Sequence, residues 1–218
     1  MKKIFFVFFC AISIIVFFNN FFFHKIINFN LERITEKDVE IKDINIDFKN
    51  QKLIINDLKI LNDQNFEYKN IFLCNQIIIN FNFFNLFDEL IFFNQITFKS
   101  PTIYLEINKE NLVFKDNISI LEKRVKKYKP KVYPKKLRDR NVLFKKVKLL
   151  DPKANINING IYKYEKLKLS NMDFINVGTS TNESLHFKKV FKIILSDIYM
   201  RIPNHEIKRK LKDIYISK

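Results

Sequence analysis

From Val39 onward the chain alternates apolar and polar positions. Val39 and Ile41, then Ile44, Ile46 and Phe48, are separated by charged or amide residues, the period of a strand with one face buried. The alternation slips by one residue near Asp43, which a β-bulge would produce. Leu53 and Ile55 slip again into Leu58 and Ile60, and Lys49-Asn50-Gln51 between the two runs predicts a hairpin. Ile71, Leu73, Ile77, Ile79, Phe81 and Phe83 follow, with Asn80 and Asn82 on the opposite face. Ile91/Phe93, Ile96/Phe98 and, after Pro101, Ile103/Leu105/Ile107 complete five β segments between residues 38 and 107. Their apolar residues fall mostly on one face, which predicts an antiparallel sheet with one side covered or occupied.

The period then changes. Phe114, Ile118, Leu121 and Val125 recur at three and four residues and predict a helix over about 117–127, with Ser119 and Glu122 as a capping box. A second β set follows in Val142/Phe144, Val147/Leu149, Ile156/Ile158, Leu167/Leu169 and Met172/Phe174. Phe187, Val190, Phe191, Ile194, Leu195, Ile198 and Ile202 form a helical stripe that Ser180 and Glu183 would cap and Pro203 would stop. Ile207, Leu211, Ile214 and Tyr215 suggest a short basic helix at the end. No residue pattern recurs with a fixed period, so no internal repeat is assigned.

The start of the chain has another character. Met1-Lys-Lys precedes an uncharged run from Ile4 to Phe18, and Asn19-Asn20 and Phe21-Phe22-Phe23 extend it to His24-Lys25. Ile4–Phe23 has the length of a helix that crosses a bilayer. A cleavable signal peptide competes, because the unbroken run is short and Lys2-Lys3 make an n-region. No Ala-x-Ala site ends the run, and Phe8-Phe9 before Cys10 does not suit a lipoprotein site, so an uncleaved anchor is favoured. Lys2 and Lys3 would keep the N-terminus cytoplasmic and put residues 26–218 across the membrane, in a bacterium the periplasm. Cys74, among alternating apolar neighbours, reads as a core thiol. The expected fold is α+β: an N-terminal transmembrane helix, then a curved antiparallel β-sheet with two or three helices. The expected divisions are 1–25 for cytoplasmic tip and anchor, 26–127 for a first β half ending in a helix, 128–148 for a basic Pro-containing linker and strand start, and 149–218 for a second β half.

Composition excludes several classes. The 218 residues carry a net charge of +16 with 47% hydrophobic residues, which rules out a disordered chain. Lys, Asn, Ile and Phe are used heavily throughout, which inflates both charge and aromaticity. The charge is unevenly placed: residues 26–122 sum to −5, residues 123–148 to +12 and residues 149–218 to +6. Lys126, Lys127, Lys129, Lys131, Lys135 and Lys136 are therefore candidate contacts to anionic headgroups or lipopolysaccharide phosphates, although a solvated lysine-rich loop is the simpler account of them. Nucleic acid does not fit a basic segment facing away from the cytoplasm.

Other chemistry is scarce. Gly160 and Gly178 are the only glycines, so no glycine-rich phosphate loop exists. His24, His186 and His205 form no metal or triad pattern, and Asp88-Glu89 reads as turn punctuation. No catalytic residue, metal or cofactor is expected.

The order of features nevertheless has a likeness. Leu58-Lys-Ile-Leu-Asn62, Phe66, the long alternating strand, Leu90–Phe98, Pro101-Thr-Ile-Tyr-Leu-Glu106 and Asn111-Leu112 resemble the opening module of AsmA-like proteins. Leu167–Phe174, Asn176-Val-Gly178 and the helix from about Glu183 resemble a strand, Asn-x-Gly turn and helix of small AsmA-like members. The resemblance covers roughly residues 33–200. It implies a single-pass inner-membrane protein with a β-rich periplasmic part, related to TamB, in outer-membrane assembly or phospholipid traffic. Phospholipid, lipopolysaccharide and envelope proteins are the implied partners. The chain lacks the many further strands that build the long groove of large AsmA-like proteins. A tether acting through exposed sheet edges, or a lipopolysaccharide-transport bridge of LptC-like type, shares the same anchor.

Overall fold

A computed structural model describes residues 24–82, 90–110, 113–127, 141–158, 162–178, 187–203, 205 and 208–209. Helix α1 covers residues 24–35. The strands are β1 (Val39–Glu40), β2 (Asp43–Asp47), β3 (Lys52–Leu61), β4 (Asn70–Phe81), β5 (Leu90–Glu110) and β6 (Val113–Asp116) before α2 (Asn117–Lys127). After α2 come β7 (Asn141–Leu150), β8 (Lys153–Ile158), β9 (Tyr162–Lys168), β10 (Met172–Gly178) and α3 (Phe187–Arg201). All these strands join one sheet, with the path β1-β3-β4-β5-β7-β10, β2 beside β3, and β6 and β8 beside β5.

The α+β class holds, but the sheet is mixed rather than antiparallel. β5 runs antiparallel to β4 and parallel to both β7 and β8. A parallel neighbour requires a long return connection, and the stretch from β6 through α2 to residue 140 supplies it. The two expected β halves thus meet in one sheet. The hairpin at Lys49-Asn50-Gln51 forms as expected, pairing Asp47 with Lys52, with Gln51 at φ 51°.

One sheet face is buried. Ile55, Leu58, Ile71, Cys74, Ile77, Leu105, Ile107, Val147, Leu149, Ala154, Ile156 and Val177 belong to one apolar cluster. Ile27 and Leu31 of α1, Ile118 and Leu121 of α2, and Val190, Ile194 and Ile198 of α3 pack into it. Each fully buried Leu, Ile or Val contributes about 1.5–3 kcal/mol against exposure, so three helices on this face are worth more to folding than their own helix propensity. The face is a packed core.

The phase slips line up across the sheet. Buried positions step by three instead of two at Ile41/Ile44, Ile55/Leu58, Cys74/Ile77 and Leu149/Pro152, and these steps lie on one line across the strands. Asp57, Ser100 and Asp151 on that line take φ of 50°, 49° and 49°. The β3–β4 register is the same on both sides of Asp57, as is the β4–β5 register on both sides of Ser100. The pairing with β3 also keeps one register across Asp43, so the β-bulge expected there does not form, and single left-handed residues at Asp57, Ser100 and Asp151 crease the sheet. Pro101 and Pro152 follow the crease, where the missing N–H of each costs least because the ladder is already interrupted. The freed groups find other partners: Asp151 N–H donates to Asn171 Oδ1 (2.7 Å), and Leu169 N–H donates to the Pro152 carbonyl (2.9 Å).

Other local expectations change. Asp116, not Ser119, caps α2, because its Oδ1 accepts the Ser119 N–H at 2.7 Å and leaves Ser119 inside the first turn. Phe114 belongs to β6, not to the helix. Asn176-Val177-Gly178 lie in β10 rather than a turn, with Asn176 at φ 54°. A Cβ on Gly178 would sit 2.3 Å from the Val142 carbonyl oxygen, so close strand approach is what requires glycine there. The expected cap Ser180/Glu183, the turn Asp88-Glu89, and Phe83, Gly160 and His186 lie outside the described residues. So does most of the expected last helix, of which Lys208 and Arg209 are described and helical.

Candidate functional site

The basic segment is only partly in view. Lys126 and Lys127 end α2, and the Lys127 side chain is exposed. Lys129, Lys131, Lys135 and Lys136 lie outside the described residues, as does the expected anchor Ile4–Phe23. Among the described residues no helix is long and apolar enough to cross a membrane.

Three polar constellations stand out, and sequence reading singled out none of them. The first joins three elements. Asp63, in the β3–β4 loop, accepts Nη1 and Nη2 of Arg124 on α2 at 3.2 Å each and pairs with Lys37 Nζ at 2.6 Å. Arg124 Nη1 also donates to the Glu36 carbonyl, and Glu36 ends α1 with φ 50°. Burial pushes the Lys37 amine down, with Asp63 pulling the other way. Burial would raise the Asp63 carboxyl, but Lys37 and Arg124 together outweigh it and hold the group below the usual carboxylate range. At its other end α1 is held by His24, whose Nε2 donates to the Ile41 carbonyl at 2.9 Å.

The second constellation is a buried carboxylate. Glu106 is 1% exposed, with Leu105 and Ile107 buried on either side of it. Its Oε1 accepts the Glu67 N–H at 2.8 Å and its Oε2 accepts the Tyr68 N–H at 2.9 Å. Asn117, fully buried at the start of α2, accepts the Glu106 N–H and donates to the Tyr104 carbonyl. Asn157 and Lys163 both donate to Glu67 Oε2, at 3.1 and 2.6 Å. The Tyr68 and Tyr104 rings meet edge to face at 5.3 Å between centroids. Burial first, then Glu165, Glu106 and Glu67, push the Tyr68 phenol up to about 12, so it stays neutral at ordinary pH. The arrangement fixes the 62–69 loop over β5. Its signal in the sequence was a lone charge inside the apolar run Ile103–Ile107.

The third runs along the crease on the polar face. Asp43 Oδ2 accepts Asn56 Nδ2, Asn56 Oδ1 accepts Gln76 Nε2, and Gln76 Oε1 accepts Lys99 Nζ, each at 2.8 Å. This row crosses β2, β3, β4 and β5. Beneath it Cys74 is 1% exposed, its Sγ 3.4 Å from the Gln76 carbonyl oxygen and 3.5 Å from that of Lys99. Burial raises the thiol to about 11, which fits an inert core residue.

Among the described residues no group of three or more His, Cys, Asp or Glu side chains could hold a metal ion. Helix α1 presents Ile26 and Phe29 to solvent, with Arg33 Cζ 5.4 Å from the Phe29 ring centroid. No known family, no curated protein and no solved structure matches this chain.

Proposed function

We propose that the chain is a membrane-anchored periplasmic protein of AsmA-like type, non-enzymatic, that serves outer-membrane assembly or envelope lipid handling at a bacterial inner membrane. The observation that carries the reading is the junction of the apolar run Ile4–Phe23 with α1, a helix fastened at its far end through Glu36, Lys37, Asp63 and Arg124. A segment so fastened would transmit a fixed position from the bilayer to the sheet. Within this reading the covered apolar face favours assembly through surface contacts over carriage of acyl chains. Core side chains already gain from one another the roughly 0.8 kcal/mol per CH₂ that a lipid tail would offer. Lys126 and Lys127, with the lysines that follow, are the proposed contacts to phospholipid headgroups or lipopolysaccharide phosphates. No nucleic acid, metal or cofactor enters the proposal.

A second reading, a tether acting through an exposed sheet edge, draws support from β10, which ends the sheet path and exposes Ile175 at 68%. An LptC-like bridge fits less well, since three helices pack on the sheet. Topology reporters fused after Lys218 test the anchor: alkaline phosphatase is expected to be active there and a cytosol-dependent fluorophore dark. The opposite pattern overturns it. Mass spectrometry of protein purified in mild detergent then separates the branches, because co-purifying phospholipid would restore the lipid-carrier version and its absence would remove it.

A further inference from the structure

The side of α1 turned away from the sheet has a composition that its position in the chain explains. Successive residues of an α-helix turn by about 100°, so Ile26, Phe29 and Arg33 share one stripe, while Ile27, Leu31 and Thr35 share the opposite one. The second stripe is the packed one: Ile27 and Leu31 join the core and Thr35 is buried. The first stripe is 39% exposed at Ile26 and 55% exposed at Phe29. Lys25 is exposed beside them, and the Arg33 guanidinium lies over the Phe29 ring. Glu32 lines the same surface hollow as Lys25, Ile26 and Phe29, and its carboxylate accepts Asn28 Nδ2 at 2.8 Å. Apolar side chains flanked by cations that can reach phosphates suit the headgroup zone of a bilayer at the end of a spanning segment.

The geometry points to a bilayer surface bearing anionic headgroups as the occupant of this stripe, and we propose that Ile26 and Phe29 insert among the headgroups while Lys25 and Arg33 meet phosphates. This deepens the anchor reading and rests on it. The sequence before His24 is the apolar run Ile4–Phe23, so under the anchor reading the surface next to α1 is that of the bilayer the run enters. At about 1.5 Å of rise per residue, Phe29 lies roughly 8 Å along α1 from His24. The headgroup layer of one leaflet is about 5–8 Å deep, so with an anchor ending at Phe23, Ile26 would fall inside it and Phe29 at its outer margin. Because the inward stripe is packed into the core, contact here would also set the tilt of the sheet over the membrane.

The chain has no Trp, so one introduced indole reports alone. Full-length Phe29→Trp, Ile26→Trp, Phe9→Trp and, on the exposed β2–β3 turn, Lys49→Trp proteins are reconstituted into vesicles of phosphatidylethanolamine with a minority of phosphatidylglycerol. Brominated acyl chains are placed on one lipid or the other. The expected result is blue-shifted, bromine-quenched emission for Phe29→Trp and Ile26→Trp, with Lys49→Trp unquenched. Quenching at equal bromine content is expected to be stronger when the bromine is on phosphatidylglycerol, since each cation near a bilayer enriches anionic lipid by up to about fivefold. Equal quenching from both lipids overturns the anionic preference. Unquenched Trp at positions 26 and 29 with quenched Phe9→Trp overturns the surface contact and leaves the anchor standing. Failure of all three to be quenched overturns both.

Discussion

Ser100 of β5 and Asp151, in the link between β7 and β8, stand side by side, both with φ of 49° and each followed by a proline. The pairing of Lys99 with Leu150 and of Thr102 with Lys153 continues in the same register across them. Two segments far apart in sequence therefore bend at the same height, and Asp57 in β3 bends there too. A sheet whose strands change phase together keeps its pairing and its buried face, which separate bulges would not do.

Left-handed backbone at a residue with a Cβ costs about 1–2 kcal/mol, more for a β-branched side chain. Ser100→Val is expected to lower unfolding free energy by about that amount, while Ser100→Gly holds or raises it, because relief of strain offsets the greater freedom of glycine in the unfolded chain. Urea denaturation of the two variants measures the difference. A Val variant as stable as Gly would show that the crease is not a strained feature.

Glu106 makes a sharper claim. Both of its oxygens accept backbone N–H groups, so Glu106→Gln keeps the volume but turns an NH₂ toward a donor. The expected cost is about 2–3 kcal/mol, with the Glu67 and Tyr68 amides losing hydrogen-exchange protection well before those of β4. Global loss without selective exposure of these two amides would contradict a clamp on the 62–69 loop.

How far these features were legible depends on whether their cause is local. The steps at Asp43 and Leu58 were visible as broken alternation. Their alignment was not, because it appears only when Asp57, Asn75, Ser100 and Asp151 are set in register by strand pairing. The parallel neighbours of β5 were equally hidden, since periodicity gives a strand its faces and not its direction. Helix α2 was read nearly to its ends, but its cap was displaced to Ser119 because Asp116 closes a strand. Asp63, Lys37 and Arg124 carry no local pattern. They meet only because a helix end, a loop and a second helix converge.

The Tyr68 phenol gives a test at high pH. Its value in the fold is about 12 against 10.0 ordinarily, so the folded chain holds the proton more tightly than the unfolded one. That contribution is fully present below pH 10 and lost as pH rises toward 12. Its Oη is buried with no hydrogen-bond partner among the described residues, so Tyr68→Phe is expected to cost little at pH 7. The variant should also show a shallower loss of Tm between pH 10 and 12 than the parent protein. Identical slopes would mean that Tyr68 ionises as easily in the fold as outside it.

Asp63 tests the joint between α1, the sheet and α2. Its carboxyl lies below the usual range, so it contributes stability above the unfolded value of about 3.8, and that contribution is lost as pH falls through the lower folded value. Substitution separates charge from packing. Asp63→Asn preserves shape but leaves the Lys37 amine, whose side chain is 3% exposed, without its counter-charge, a change that costs about 3–5 kcal/mol when a pair is fully buried. The 31% exposure of Asp63 lowers the expected loss to about 2 kcal/mol. Lys37→Met removes the buried cation together with its need for a partner and leaves Asp63 held by Arg124, so it should cost less than Asp63→Asn. The double variant should recover much of what Asp63→Asn loses. Guanidinium denaturation of all three at pH 7 and near pH 3 reads the cycle, and the differences should shrink at the acid end. Additive losses would mean that the Asp63 and Lys37 side chains do not interact.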